Sequence, residues 1–150
     1  MKKRIIALGL LWCLFAVMLQ AARVDTVLVR SAAMNKDVKV VYVLPDKAIG
    51  KQACPVVYLL HGYGGNARSW VQLKPELPQM ADEKGIIFVC PDGKNSWYWD
   101  SPENPAYRYE TFVTSELVKY TDGNYATIPD RKARAISGSV SYTHLRAHET

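Results

Sequence analysis

The chain lacks the features that usually reveal a class at once. No internal repeat or low-complexity segment is visible, so nothing in the chain points to a repeat array or a disordered tract. An excess of one charge is also missing once the N-terminus is set aside. Lys2, Lys3 and Arg4 supply +3 of the formal +5, residues 1–22 contain no acid, and the remainder carries only +2. That small surplus removes the main support for a nucleic-acid partner, and none is expected. The longest apolar run, residues 5–19, falls short of the ~20 residues needed to span a bilayer. Cysteine is scarce, with three residues in 150. One of them, Cys13, lies inside that run without the small residues before it that a lipoprotein site would show.

What is present begins with an export pattern. The basic start MKKR, the apolar residues 5–19 and the small Ala21 and Ala22 together read as a secretory signal peptide over residues 1–22. The mature protein is then expected to be secreted or periplasmic, with no stable membrane anchor after cleavage. Cys54 and Cys90 would meet a compartment that permits disulfides. They flank two apolar runs at opposite ends, however. If those strands are parallel neighbours, the thiols stand roughly 20 Å apart, beyond the ~7 Å limit on Cα separation in a bridge. Two buried free thiols are expected.

The remaining residues, 23–138, alternate strand and helix signals. Residues 24–29 and 38–44 are rich in β-branched residues, with Asn35, Lys36 and Asp37 between them as turn material, and predict a hairpin at a sheet edge. Residues 45–52 form a polar connection. Val56–Leu60 and residues 86–90 are short and continuously apolar, which predicts strands buried on both faces. Between them, Trp70, Leu73, Leu77, Met80 and Ala81 have helical spacing, interrupted by Pro75 and stopped by Gly85. Residues 110–120 predict an amphipathic helix that buries Phe112, Val113, Leu117 and Tyr120, with Glu116 on or beside that face and hydrogen-bonded to nearby backbone. A third apolar strand begins at Arg134. This order is the α/β pattern of a largely parallel sheet with flanking helices.

Chemistry concentrates where strands end. The first buried strand runs into His61-Gly62-Tyr63-Gly64-Gly65, a loop whose glycines let backbone N–H groups approach a ligand closely. The second runs into Pro91-Asp92-Gly93 and then an aromatic loop containing Trp97, Tyr98, Trp99 and Tyr107. Those aromatics either form a wall of a substrate pocket or pack over the sheet as a lid, and both readings stand. Residues 62–67 formally satisfy a dinucleotide-binding fingerprint. That pattern needs an acid about 20 positions on, at the end of the next strand; Asp82 and Glu83 precede the strand and Asp92 comes too late. The alternative is an oxyanion loop, in which preorganised N–H donors hold the charge of a tetrahedral intermediate. A strand ending in His-Gly-x-Gly-Gly is the form in which α/β-hydrolases present one such donor.

Four stretches, YLLHGYGGNARSW, VCPDGKNSWYWDSP, YETFVTSELVKY and DRKARAISG, follow one another in a familiar order. Over residues 24–138 the chain resembles the esterase D branch of the α/β-hydrolases. That branch includes S-formylglutathione hydrolases, short-chain carboxylesterases, feruloyl and acetyl-xylan esterases and mycolyltransferases. The resemblance implies the N-terminal part of an α/β-hydrolase fold and a serine carboxylic-ester hydrolase that uses an acyl-enzyme and no cofactor. Its substrate would be a small-molecule or carbohydrate-linked ester. It also implies that Tyr63, with Gly62 beside it, supplies half of the oxyanion hole, that Gly64 and Gly65 shape the loop, and that His61 is structural. Trp97, Tyr98 and Trp99 are the candidate substrate-pocket residues.

The resemblance stops abruptly. After Ile136-Ser137-Gly138 the family continues as a G-x-S-x-G nucleophile elbow, whereas here Val140 fills the serine slot and Tyr142 the second glycine's place. Ser139 and Ser141 are each one residue out of register. His144 and His148 share a helical spacing, but H-L-R-A-H lacks the glutamate of the H-E-x-x-H zinc motif, and no metal is expected. Residues 139–150 resemble translated sequencing-adapter sequence. They are therefore expected to be a non-native tail on a domain truncated at the elbow, leaving no catalytic triad member intact and the chain as written inactive. The alternative is a non-catalytic secreted binding module that uses the aromatic loop.

Overall fold

A computed structural model describes residues 22–138. The expected signal peptide apart from Ala22, the tail 139–150 and the serine slot at Val140 lie outside the described residues. Five strands form one sheet in the order β1-β2-β4-β3-β5, with β1 Arg23–Ser31, β2 Lys36–Leu44, β3 Val56–Leu60, β4 Ile87–Pro91 and β5 Arg134–Gly138. β1 and β2 are an antiparallel hairpin, and β2 runs antiparallel to β4. β4, β3 and β5 are mutually parallel neighbours. The predicted strands are therefore all present, and the sheet is parallel where the glycine and Pro-Asp-Gly motifs lie.

The hairpin turn is tighter than the sequence suggests. Lys36 and Asp37 belong to β2, paired with Ser31 and Arg30, and the turn occupies residues 32–35. Asn35 makes this possible by taking φ 51°, a left-handed conformation that Asn tolerates better than most residues. The polar connection after β2 also contains a short helix, α1 Asp46–Ile49, which starts after Pro45 and carries Asp46 in its first turn. The Asp46 N–H, an orphan of that first turn, donates to Asp82 Oδ1 at 2.8 Å.

Alternation along the strands divides the core into two layers. Val40, Tyr42, Tyr58, Leu60 and Val89 pack on one side against Tyr109, Phe112, Val113 and Leu117. Val41, Val43, Leu59, Phe88 and Cys90 pack on the other side against Ala67, Leu77 and Ala81. The second layer is covered by α2 Ser69–Leu73 and α3 Leu77–Lys84. They are separate because Pro75 disfavours helical geometry at Lys74, which sits at φ −127°, ψ 82°. Gly85 closes α3 at φ 62°, a left-handed cap that glycine adopts without steric cost.

The first layer is covered by one helical segment with a wide turn in its middle. α4 Tyr109–Thr111 runs into a π-helical stretch, Phe112–Glu116, and then α5 Leu117–Asn124. Thr114 Oγ1 donates to the Glu110 carbonyl at 2.7 Å, occupying the acceptor that an α-helical Thr114 N–H would use. Glu116 leaves this segment to reach the hairpin. Its carboxylate accepts from Ser31 Oγ at 2.6 Å and from Ala33 N–H at 2.8 Å. The backbone it meets is 83 residues away in sequence, so the helix clamps the β1–β2 turn.

Cys54 and Cys90 are free and buried, as expected. They lie in opposite core layers, which excludes a bridge even more firmly than their separation along the strands. Burial raises both thiol pKa values, that of Cys90 to about 12. Neither thiol should therefore react with iodoacetamide in the folded protein at pH 8, and each should take one label once the chain is unfolded. Mass spectrometry reads the result, and labelling of Cys90 under native conditions would contradict this packing.

Candidate active site

The strand ends bring three loops together. β3 lies between β4 and β5, so the chain leaving Leu60 is flanked on one side by the chain leaving Pro91 and on the other by the chain leaving Gly138. Leu60 pairs directly with Gly138, which puts the end of β5 level with the start of the glycine loop.

Residues 62–65 form a β-turn closed by Gly65 N–H donating to the Gly62 carbonyl at 3.0 Å. Gly64 has φ 75° at the third position and Tyr63 has no positive φ, which identifies a type II turn. Gly65 is needed for a different reason. A Cβ there would lie 2.8 Å from His61 Nδ1, 2.9 Å from Ser69 Oγ and 3.0 Å from the Gly62 carbonyl oxygen. The loop folds directly onto the histidine, and only a residue without a side chain allows that approach.

His61 is 2 % exposed and joins the first two loops. Nδ1 is 2.7 Å from the Gly62 carbonyl oxygen, and Nε2 is 3.0 Å from the Gly93 backbone nitrogen. A backbone N–H can only donate, so Nε2 accepts and Nδ1 carries the proton; the ring is assigned as this neutral tautomer from its partners. Asp92 Oδ1 stands 3.6 Å from Nε2 and is occupied instead by Lys94, whose N–H donates to it at 3.0 Å. Lys94 Nζ lies 2.7 Å from Asp92 Oδ2. His61 thus links the two loops through both ring nitrogens.

The lock at Gly62 orients the next amide. In a trans peptide the carbonyl and N–H point in opposite directions. With the Gly62 carbonyl held inward by His61 and Gly65, the Tyr63 N–H is directed away from the packed side of the loop. Among the described residues it donates to no acceptor, whereas the Gly64 N–H donates to Asn95 Oδ1 at 2.9 Å. One unoccupied backbone donor therefore stands on a fixed turn beside the end of β5.

The three candidate pocket aromatics separate. Trp97 and Trp99 are about half exposed, and the Trp97 ring packs on Tyr63 with centroids 5.6 Å apart. Tyr98 does not join them in a solvent-facing wall, because its ring is buried in the core. Its hydroxyl donates to the Pro91 carbonyl at 2.7 Å and accepts from Gly93 N–H at 3.2 Å, while its ring meets His61 edge-on. Gly93 is required beneath it, since a Cβ there would come within 2.3 Å of the phenol ring. Trp97 and Tyr98 both take positive φ, 57° and 53°, an arrangement costing on the order of 1–3 kcal/mol per residue. Asp100 ties the far end of this loop to α4 by accepting from the Thr111 N–H at 3.0 Å.

Asn95 and Ser69 also belong to this framework, and neither stands out in the sequence. Asn95 reaches Gly64 across 31 residues, a pairing with no periodic signature. Ser69 has a local signature, since Asn66 three residues earlier exchanges hydrogen bonds with it at the start of α2.

Comparison with known proteins places this geometry in a group. Residues 31–140 match the model of the Esterase family. An acetyl esterase from Caldicellulosiruptor saccharolyticus is 25% identical over 119 residues, covering 74% of this chain and 44% of its own length. The structure of an S-formylglutathione hydrolase from Agrobacterium tumefaciens superposes with a TM-score of 0.71 at 26% identity, covering 82% of this chain and 50% of that one. A ferulic acid esterase superposes with a TM-score of 0.65 at 27% identity, covering 78% and 50%. The chain spans half or less of the length of these relatives.

If His61 is the joint between the loops, His61→Ala should cost about 3 kcal/mol or more. It removes one of the two partners of the Gly62 carbonyl and of the Gly93 N–H, leaving Gly65 and Tyr98 as the others, and opens a cavity. Urea denaturation measures this, and a loss below about 1 kcal/mol would show that the loops hold their geometry without the ring.

Proposed function

The chain belongs to the Esterase family, and from that premise we propose that it carries the oxyanion-binding half of a secreted serine carboxylic-ester hydrolase. The observation that carries this reading is the Tyr63 N–H, undonated among the described residues and fixed by the His61–Gly62 contact beside the end of β5. In the intact enzyme a serine presented just after β5 attacks the ester carbonyl, and its proton passes to a general base. The carbonyl oxygen becomes an oxyanion that accepts from Tyr63 N–H. Collapse of this tetrahedral species breaks the bond to the alkoxy oxygen, which leaves as the alcohol on receiving the proton, and an acyl-enzyme remains. Water then repeats the attack, releasing the carboxylic acid and restoring the serine. No cofactor enters either half-reaction.

Two exposed aromatics of the neighbouring loop, Trp97 packed on Tyr63 and Trp99 two residues on, suit a substrate with a sizeable apolar or ring-bearing part. A carbohydrate-linked or short-chain acyl ester fits that wall, and names such as acetyl esterase and ferulic acid esterase among the relatives support the same substrate class. The export pattern of residues 1–22 supports a secreted or periplasmic location. Val140 in the serine slot supports an inactive chain as written, and with that slot empty of a nucleophile the exposed aromatics leave a binding module as the second reading.

Sequencing the gene past the codon for Ile136 separates the two, since a frame continuing as G-x-S-x-G supports the enzyme. The protein from that frame should hydrolyse p-nitrophenyl acetate, and the 150-residue chain should not. Tyr63→Pro in the active protein removes the donor while keeping a residue that type II turns favour at this position. It should lower kcat by about 10²–10³ with little change in KM. Unchanged kcat would remove Tyr63 from the oxyanion hole, and hydrolysis by the 150-residue chain would overturn its assignment as inactive.

A further inference from the structure

A second concave surface lies at the same end of the sheet, on the hairpin side of the Pro-Asp-Gly loop. It is an open cleft of about 510 Å³ between the start of β2 and residues 92–109, with Lys36, Asp92, Lys94, Tyr107 and Tyr109 in its lining. Asn95, which holds the Gly64 N–H, stands at its border with the glycine loop.

The groups in this cleft are placed by packing. Lys36 Nζ donates to the Ala106 carbonyl at 2.5 Å and sits over the rings of Tyr107 and Tyr109, 5.0 and 4.6 Å from their centroids. Burial lowers its pKa, the nearby Lys94 ammonium lowers it further, and Asp92 acts in the opposite direction. Lys94 takes φ 52° to bring its own ammonium back onto Asp92 Oδ2. Asp92 is 5 % exposed and lines the cleft with both lysines. Asp37, the other acid of the lining, stands 3.6 Å from Arg30 instead. Lys36, Lys39 and Lys94 thus line a cleft whose one buried carboxylate is bonded to Lys94, and Tyr107 in the same lining keeps 38 % of its surface in solvent.

We propose that this cleft binds a carboxylate carried on a ring, with the carboxylate bridging the ammonium groups of Lys36 and Lys94 and the ring lying against Tyr107. A second anion supplies the charge that Asp92 alone does not, and it reduces the repulsion between the two lysines. The donors match as well. Ammonium nitrogens have three N–H groups each, and the bonds to Ala106 and Asp92 use one apiece. The partly exposed ring of Tyr107 offers a flat apolar surface in the same lining as the lysines. The site is separate from the Tyr63 donor and binds without hydrolysing, so it stands or falls independently of the esterase reading.

The test is a titration of the 150-residue chain followed by amide NMR, using sodium glucuronate and sodium 4-hydroxybenzoate as probes. Glucuronamide and 4-hydroxybenzamide serve as the uncharged counterparts. Saturable shifts at Lys94, Tyr107 and Tyr109 are expected with at least one acid and not with its amide, weakening several-fold as NaCl rises to about 0.3 M. The acid that binds more tightly distinguishes a sugar-borne from an aromatic carboxylate. Lys94→Gln, on the exposed loop, and Lys36→Gln, which keeps a donor for Ala106, should each reduce affinity about fivefold or more. An equal response to acid and amide, no saturable shift with either acid, or unchanged affinity in both variants would overturn the proposal.

Discussion

Two hydrogen bonds to one buried imidazole hold the functional end of this fold together. His61 accepts from Gly93 on one side and donates to Gly62 on the other, and loops from two strands thereby become one rigid edge. Its neighbours make sense as conditions for that contact. Gly65 lets the loop fold onto the ring, Gly93 leaves room for Tyr98, and Tyr98 closes the ring off from water. A general base must meet its substrate and change protonation state, whereas this ring is sealed and engaged through both nitrogens. Its contribution is geometric: it determines which way a peptide unit faces.

Sequence carried the strands well because Val56–Leu60 and Ile87–Pro91 are too short and too apolar to be anything other than buried strands. The glycine loop was legible for a related reason, since its residue types are dictated by backbone geometry. What the sequence did not disclose depends on distance along the chain. Glu116 was readable as a carboxylate seeking backbone, but nothing local indicates that its partners are Ser31 and Ala33. Asn95 and Lys36 act across 31 and 70 residues and look like ordinary polar residues in isolation. The aromatic loop could not be divided into inward and outward members, because the backbone takes positive φ at two of its non-glycine residues, Trp97 and Tyr98. Such values are uncommon enough that residue type does not announce them.

The parallel and antiparallel parts of the sheet have different roles. β4, β3 and β5 deliver their carboxyl ends to one edge, which is where open α/β sheets gather ligand-binding groups. β1 and β2 reach that edge through their hairpin turn at residues 32–35. Because β2 runs antiparallel to β4, its beginning, not its end, arrives there, and it brings Lys36 into the cleft that Asp92 and Lys94 also line. The reversed strand thus adds its own lysines to an edge where the loop after β4 already brings Asp92 and Lys94.

The strand order also imposes a timetable on synthesis. β2 emerges early with six of its nine residues destined for burial, yet its partner on the inner side, β4, follows more than 40 residues later, after β3 has appeared. The sheet cannot be laid down in the order in which it is made. Until β4 inserts, the hairpin carries an apolar strand with an open edge, the kind of surface that pairs with a neighbouring chain. A nascent chain of this design depends on prompt completion or on a companion that shields the hairpin. That dependence would bear most heavily on a chain kept extended for passage across a membrane.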